Sequence, residues 1–193
     1  MIALLRMGID NSAKTDDLYI IRNGVWQTAG GNWASRGVSY NTLTTNAVAP
    51  VRSDGSGYLG FNTPGNNTAL RSGNACSGNY IDFTGYKYLK VTYDYRIPPM
   101  DISKADASMR VYFGAQNAAQ FAATSGYSGM TLVLQYLKSD VGYTGTNQTD
   151  TIDISSRNEL CKPSFGFWWG YNYTGSDANP GYVRIKNLWL ARG

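Results

Sequence analysis

Histidine is absent from this sequence, and the absence removes more chemistry than any single motif supplies. A Ser-His-Asp or Cys-His nucleophile needs an imidazole that takes and returns a proton near neutral pH, and no other side chain does so without a large pKa shift. Histidine-based zinc centres go with it. Glu159 is the only glutamate, so a glycosidase acid/base pair would have to be assembled mainly from aspartates, of which Asp82, Asp94 and Asp153 are the conceivable members. Catalysis is disfavoured on these grounds, and no cofactor is expected.

Charge is also scarce. Charged residues make up 16% of the chain, against about 25% in an average globular protein, so solubility has to come largely from neutral Gly, Asn, Ser and Thr. The 17 basic and 13 acidic residues give a net charge of +4, yet the Lys and Arg side chains are scattered with no run, and nucleic acid is not an expected partner. Cysteine is limited to Cys76 and Cys161, 85 positions apart, which is neither a metal-ligand nor a redox spacing. They are expected as two separate thiols packed as small hydrophobes, with one long-range bridge as the alternative. Long apolar runs are missing too. Met1 to Leu5 is apolar but is broken by Arg6 and Gly8, too short for a signal-peptide core or a membrane span, so no membrane insertion is expected.

What is plentiful is tyrosine, with 15 residues in an aromatic share of 13%, set among short alternating segments punctuated by Gly, Asn, Asp and Pro. This reads as β-structure from end to end. Asn23-Gly24 between Leu18–Arg22 and Val25–Thr28 supplies the two positive φ angles of a type I′ turn, so residues 18–28 are expected as a hairpin. In Tyr86 to Ile97, Leu89, Val91, Tyr93, Tyr95 and Ile97 fall on one face, and Tyr88, Lys90, Thr92, Asp94 and Arg96 on the other, the pattern of a half-buried strand. Residues 109–113 alternate likewise. Residues 116–124 suit one or two helical turns over a sheet edge, and 130–137, nearly all apolar, suits a central strand. Further strands are expected around 36–43, 57–62, 151–154, 164–173 and 182–190, eight to ten in total. Many antiparallel strands without crossover helices must stack in two layers or close on themselves. The fold class is therefore all-β, an antiparallel β-sandwich with a jelly-roll-like arrangement over residues 18–193, preceded by a connecting segment at 1–17.

Three segments carry a resemblance: Ile81-Asp82-Phe83-Thr84-Gly85-Tyr86-Lys87-Tyr88-Leu89-Lys90-Val91, Asp150-Thr151-Ile152-Asp153-Ile154-Ser155, and Val183-Arg184-Ile185-Lys186-Asn187-Leu188-Trp189-Leu190. In type and order they resemble the terminal β-sandwich modules of bacteriophage and prophage tail proteins, which are similar in architecture to carbohydrate-binding modules. Leu18 to Val25 is similar to the opening of tail modules from phages of Gram-positive bacteria. The resemblance implies an adhesion or receptor-binding module on a virion or outside a cell, a bacterial surface saccharide as partner, and room for a homo-oligomer through the parent protein. It brings no binding residues with it.

Candidate ligand residues come instead from aromatic chemistry, because the apolar face of a pyranose stacks on a flat ring while neighbouring polar groups take its hydroxyls. In Phe165 to Tyr173, strand alternation separates Trp168 from Phe165, Phe167, Trp169, Tyr171 and Tyr173 and sets it between Gly166 and Gly170, with Asn172 on its own face. Trp168 is either a ring open to a sugar or part of a second core layer. Trp33, in the Gly30-Gly31-Asn32-Trp33 stretch, is the second candidate, as a loop residue that binds ligand or seals the core. Tyr88, Asp94 and Arg96 are the third set, a polar groove floor or simply a solvated sheet face. Trp189 is assigned to structure. Asp54, Asp150, Asp153 and Asp177 lack the spacing of a calcium loop and are read as turn and cap residues, with no metal expected. Two other functions stay open at this point: a structural tail module whose aromatic surface lies in a subunit interface, and an aspartate-dependent glycan-cleaving enzyme.

Overall fold

Asn23 and Gly24 have φ angles of 50° and 78°, as a type I′ turn requires, and they join β1 (Leu18–Arg22) to β2 (Val25–Trp26) as an antiparallel pair. The computed structural model describes residues 17–27, 33–40, 58–61, 71–77, 79–96, 108–122, 128–137, 144–170 and 181–193; at 33–40, 58–61, 71–77, 108–109, 121–122, 136–137, 167–170 and 181–182 the description is of the backbone alone. Within these residues the chain continues through β3 (Trp33–Tyr40), β4 (Tyr58–Phe61), β5 (Arg71–Ser77), β6 (Ile81–Asp82), β7 (Tyr88–Arg96), β8 (Ser108–Gln116), the helix α1 (Ala118–Ala122), β9 (Met130–Leu137), β10 (Thr144–Asp153), β11 (Leu160–Gly170) and β12 (Gly181–Ala191).

The strands form two antiparallel sheets. The first runs β10-β7-β12-β1-β2, with β4 also on β12; the second runs β3-β5-β11-β8-β9, with β6 also on β11. From β7 onward the chain passes from one sheet to the other and back, so few sequential strands are neighbours, which is the jelly-roll-like arrangement. Strand alternation makes the core: Leu89, Val91, Tyr93 and Tyr95 of β7 face Val111, Phe113 and Ala115 of β8 and Phe165 of β11, all buried. Tyr93 meets Phe113 at 5.5 Å between ring centroids, and Phe113 meets Phe165 at 5.3 Å, both tilted, the geometry that aromatic quadrupoles favour. These rings stitch one sheet to the other.

The β7 alternation is as the sequence predicts. Four regions differ. Residues 130–137, expected at the centre of a sheet, form an edge strand on β8, with Thr131, Leu132 and Gln135 exposed; an apolar run does not distinguish edge from centre when one face is covered. Trp33 begins β3, opposite Ser77, rather than lying in a loop. The strand at 71–77 carries no clear period in its sequence and is held by β3 and β11 on its two sides. Ile20 and Ile21 are both fully buried, against alternation, because a bulge lies between the Tyr19–Trp189 and Ile21–Leu188 pairs of β1 and β12.

The short helix has a reciprocal cap. Asn117 Oδ1 accepts from the Gln120 N–H at 2.9 Å, and Gln120 Oε1 accepts from the Asn117 N–H at 3.1 Å, an Asn-x-x-Gln capping box. Arg157 donates to the same Gln120 Oε1 at 2.9 Å. Beneath it the fully buried Gln116 donates to the Ser128 carbonyl at 2.9 Å and accepts from Ser164 at 3.3 Å, so a buried amide is kept in hydrogen bonds. Cys161 is buried and free. With only two cysteines in the chain, no Cys76–Cys161 bridge exists.

Candidate functional site

The outer face of the first sheet gathers the half-exposed side chains of β7, β10, β12 and β1. The three segments that carry the resemblance meet here, since β7 lies between β10 and β12. Along β7 the row Tyr88, Lys90, Thr92, Asp94 and Arg96 is partly exposed at every position, while the intervening residues are buried. Across the sheet, register sets Lys90 between Thr151 on β10 and Trp189 on β12, and sets Trp189 opposite Tyr19 on β1. The line Thr151, Lys90, Trp189, Tyr19 crosses four strands, about 14 Å at the usual interstrand spacing.

Tyr19 and Trp189 stack with centroids 5.7 Å apart and planes 16° from parallel. The Arg22 guanidinium lies 5.0 Å from the Tyr19 ring centroid, and Lys90 Nζ lies 5.9 Å from that of Tyr88, both within cation–π range. Tyr19 and Tyr88 therefore each have a cation beside them. Thr92 and Thr149 share a hydroxyl hydrogen bond of 3.2 Å one step further along.

Asp94 closes one end of this face. Two irregularities flank it, one in β10 between Gly145 and Gln148, where Asn147 has φ 55°, and one in β12 between Ile185 and Asn187. The first directs the Asn147 N–H to Asp94 Oδ1 at 2.8 Å; the second brings Lys186 Nζ to the same oxygen at 3.0 Å and to Asn147 Oδ1 at 2.8 Å. The hairpin turn adds to the knot: Gly24 N–H donates to the Lys186 carbonyl at 2.7 Å and Asn23 N–H to Asn187 Oδ1 at 2.9 Å. A bulge frees backbone groups from the ladder, and here other parts of the chain take them up.

Of the residues expected to bind ligand, Tyr88, Asp94 and Arg96 share this face. Trp168 and Trp33 lie in the other sheet; their backbones are placed, with position 168 opposite Ser72 and Arg110 and position 33 opposite Ser77, and their side chains lie outside the described residues, as does all of Asn172. Phe165 is in the core, and Gly166, read as a gap beside position 168, is buried. Tyr19 and Trp189 were not singled out by sequence, because the partners lie at opposite ends of the chain and only the β1–β12 pairing joins them.

The aspartates read as conceivable catalytic residues are not brought together. Asp153 stands opposite Tyr88, and Asp94 is six residues along β7, about 20 Å away at the rise of a strand. A glycosidase pair needs about 5–10 Å. Asp82 belongs to β6 on the second sheet and accepts from the Thr84 N–H at 2.9 Å. Asp153 accepts from the Ser155 N–H at 2.8 Å, and bonds from the Ser155 side chain and backbone hold its carboxyl below the ordinary Asp pKa. Asp150 faces inward and accepts from the Tyr93 hydroxyl at 2.8 Å. Among the described residues no three His, Cys, Asp or Glu side chains gather to hold a metal; Asp54 and Asp177 lie outside them. No helix among the described residues is long and apolar enough to cross a membrane.

No known family matches the chain, and no curated protein matches it. Among solved structures, CBM27-1 of Caldicellulosiruptor saccharolyticus, in complex with mannohexaose, is similar with a TM-score of 0.46 and 14% identity over 92% of this chain and 98% of that one. The K1 cleaved adhesin domain of Lys-gingipain from Porphyromonas gingivalis W83 is similar with a TM-score of 0.39 and 15% identity over 92% and 99%. The family 11 carbohydrate-binding module from Clostridium thermocellum, in complex with a β-1,3-1,4-mixed-linked tetrasaccharide, is similar with a TM-score of 0.35 and 11% identity over 91% and 95%.

Proposed function

We propose that this chain is a non-catalytic adhesion module that binds a saccharide on the outer face of its first sheet, as part of a phage tail protein that meets a bacterial surface. The observation that carries the reading is the line Thr151, Lys90, Trp189, Tyr19 with Tyr88, Thr92 and Asp94 beside it: half-exposed aromatic rings set among hydroxyl, ammonium and carboxylate groups on rigid strands. Sugars need both halves of that surface, apolar area for the C–H faces of the ring and directional partners for its hydroxyls. The strands hold the side chains in place before a ligand arrives, which lowers the ordering cost of binding. A single shallow site of this kind binds weakly, and several copies in a tail would gain through avidity.

The test is a bacterial glycan array probed with the purified chain, read with its mass in solution by light scattering. Saturable binding to a defined set of saccharides, lost in Tyr19→Ser, is the expected result. Silence across the array from a stable dimer or trimer would overturn the reading in favour of a structural tail module. Loss of binding in Trp168→Ala with Tyr19→Ser unaffected would move the site to the second sheet.

A further inference from the structure

The outer face of the first sheet is lopsided in charge. Among the described residues of its paired strands, Arg22, Lys90, Arg96, Arg184 and Lys186 lie along it, against Asp94 and Asp153. Asp94 already serves Lys186 at 3.0 Å, and Asp153 turns back to its own Ser155. Among the described residues, the cations beside the aromatic stack sit on rings: Arg22 on Tyr19 at 5.0 Å and Lys90 on Tyr88 at 5.9 Å. The nearest cross-strand neighbours of Lys90 are Thr151 and Trp189, and its neighbours along the face are Tyr88 and Thr92. None of the four is an acid. An ammonium on a sheet face with no carboxylate opposite it, set beside a flat ring, is a seat for an anion attached to an apolar ring.

This inference rests on the saccharide reading above and narrows it. We infer that the glycan is an acidic one, carrying carboxylate or phosphodiester groups, with its anion on Lys90 and a sugar ring against the Tyr19–Trp189 stack. Register sets Lys90 opposite Trp189 and Arg22 lies over Tyr19, so a cation borders each ring of the stack. Steering by the whole face adds to the encounter rate and makes it sensitive to salt.

The experiment measures binding of the full chain to polygalacturonate, to its methyl ester, to poly(glycerol phosphate) and to neutral dextran, by isothermal titration calorimetry. Expected is binding to at least one anionic polymer, about tenfold weaker in Lys90→Gln and retained in Lys90→Arg, with a charge-assisted hydrogen bond lost in the first and kept in the second. Polygalacturonate binding abolished by methyl esterification assigns the anion to a carboxylate; binding to poly(glycerol phosphate) alone assigns it to a phosphodiester. Tyr19→Ser, checked for an unchanged circular dichroism spectrum, must also weaken binding, because simple ion exchange would survive loss of the ring. Three results overturn the inference: equal affinity for neutral and anionic polymers, no effect of Lys90→Gln, or equal affinity for double-stranded DNA. Binding of a neutral glycan that Tyr19→Ser abolishes removes the acidic ligand and leaves the saccharide reading standing. Failure to bind any glycan removes both.

Discussion

Asp94 shows how much one residue can organise. Its carboxylate oxygen holds a backbone N–H from one bulge and an ammonium from another, and the Asp94 side chain is 14% exposed, so screening by solvent is partial. Hydrogen bonds to a charged group contribute about 1.5–3 kcal/mol each, net of the bonds to water they replace, and less where solvent reaches them. Asp94→Ala is expected to lower stability by about 1–2 kcal/mol in urea denaturation; a loss below 0.3 kcal/mol, the level of a surface ion pair, would show that the bulges hold themselves. Asp153 makes a prediction in pH. Its folded pKa lies below its ordinary value of 3.8, so its contribution to stability is present above that value and is lost as pH falls through the lowered one. An NMR titration should place the Asp153 midpoint below that of an unstructured Asp, and Ser155→Ala should return it upward. Cys161 moves in the other direction. Burial, with the nearby Glu159 carboxylate adding to it, pushes the thiol up, so Cys161 is expected to resist iodoacetamide in the folded protein and to react fully in urea.

At the scale of the element, the sequence discloses what depends on local period and turn chemistry. The Asn23-Gly24 turn and the two faces of β7 follow from neighbours in the chain, and both are found. The burial of Ile20 beside Ile21, the two irregularities around Asp94 and the edge position of β9 depend on which strand lies alongside, and no local pattern encodes that. Gly145 is a further case. A Cβ there would collide with the ring of Tyr95, its partner across β10 and β7. Gly145→Val is expected to cost about 1–3 kcal/mol through overpacking, and a thermal unfolding midpoint unchanged within a degree would refute that contact.

At the scale of the whole molecule, absence did much of the work. The lack of histidine and the single glutamate pointed away from catalysis; of the conceivable acids, Asp94 and Asp153 stand at opposite ends of β7 in the sheet. The sandwich class was legible because many short, half-buried strands without helices have few ways to bury their apolar faces. The polar half of the candidate site was legible as well, in the row Tyr88, Asp94, Arg96. Its aromatic half was not: Trp189 reads as a structural residue near the terminus, and only the β1–β12 pairing reveals the Tyr19 ring stacked on it. A site assembled from strands far apart in sequence becomes visible when the sheet order is known.

The most direct test of the account follows backbone amide resonances of the labelled chain while the best saccharide from the array is added. Shifts are expected to concentrate at Tyr19, Tyr88, Lys90, Thr92 and Trp189, with the buried neighbours on β7 and the second sheet undisturbed; shifts centred on residues 166–170 of the second sheet would contradict a site on the first.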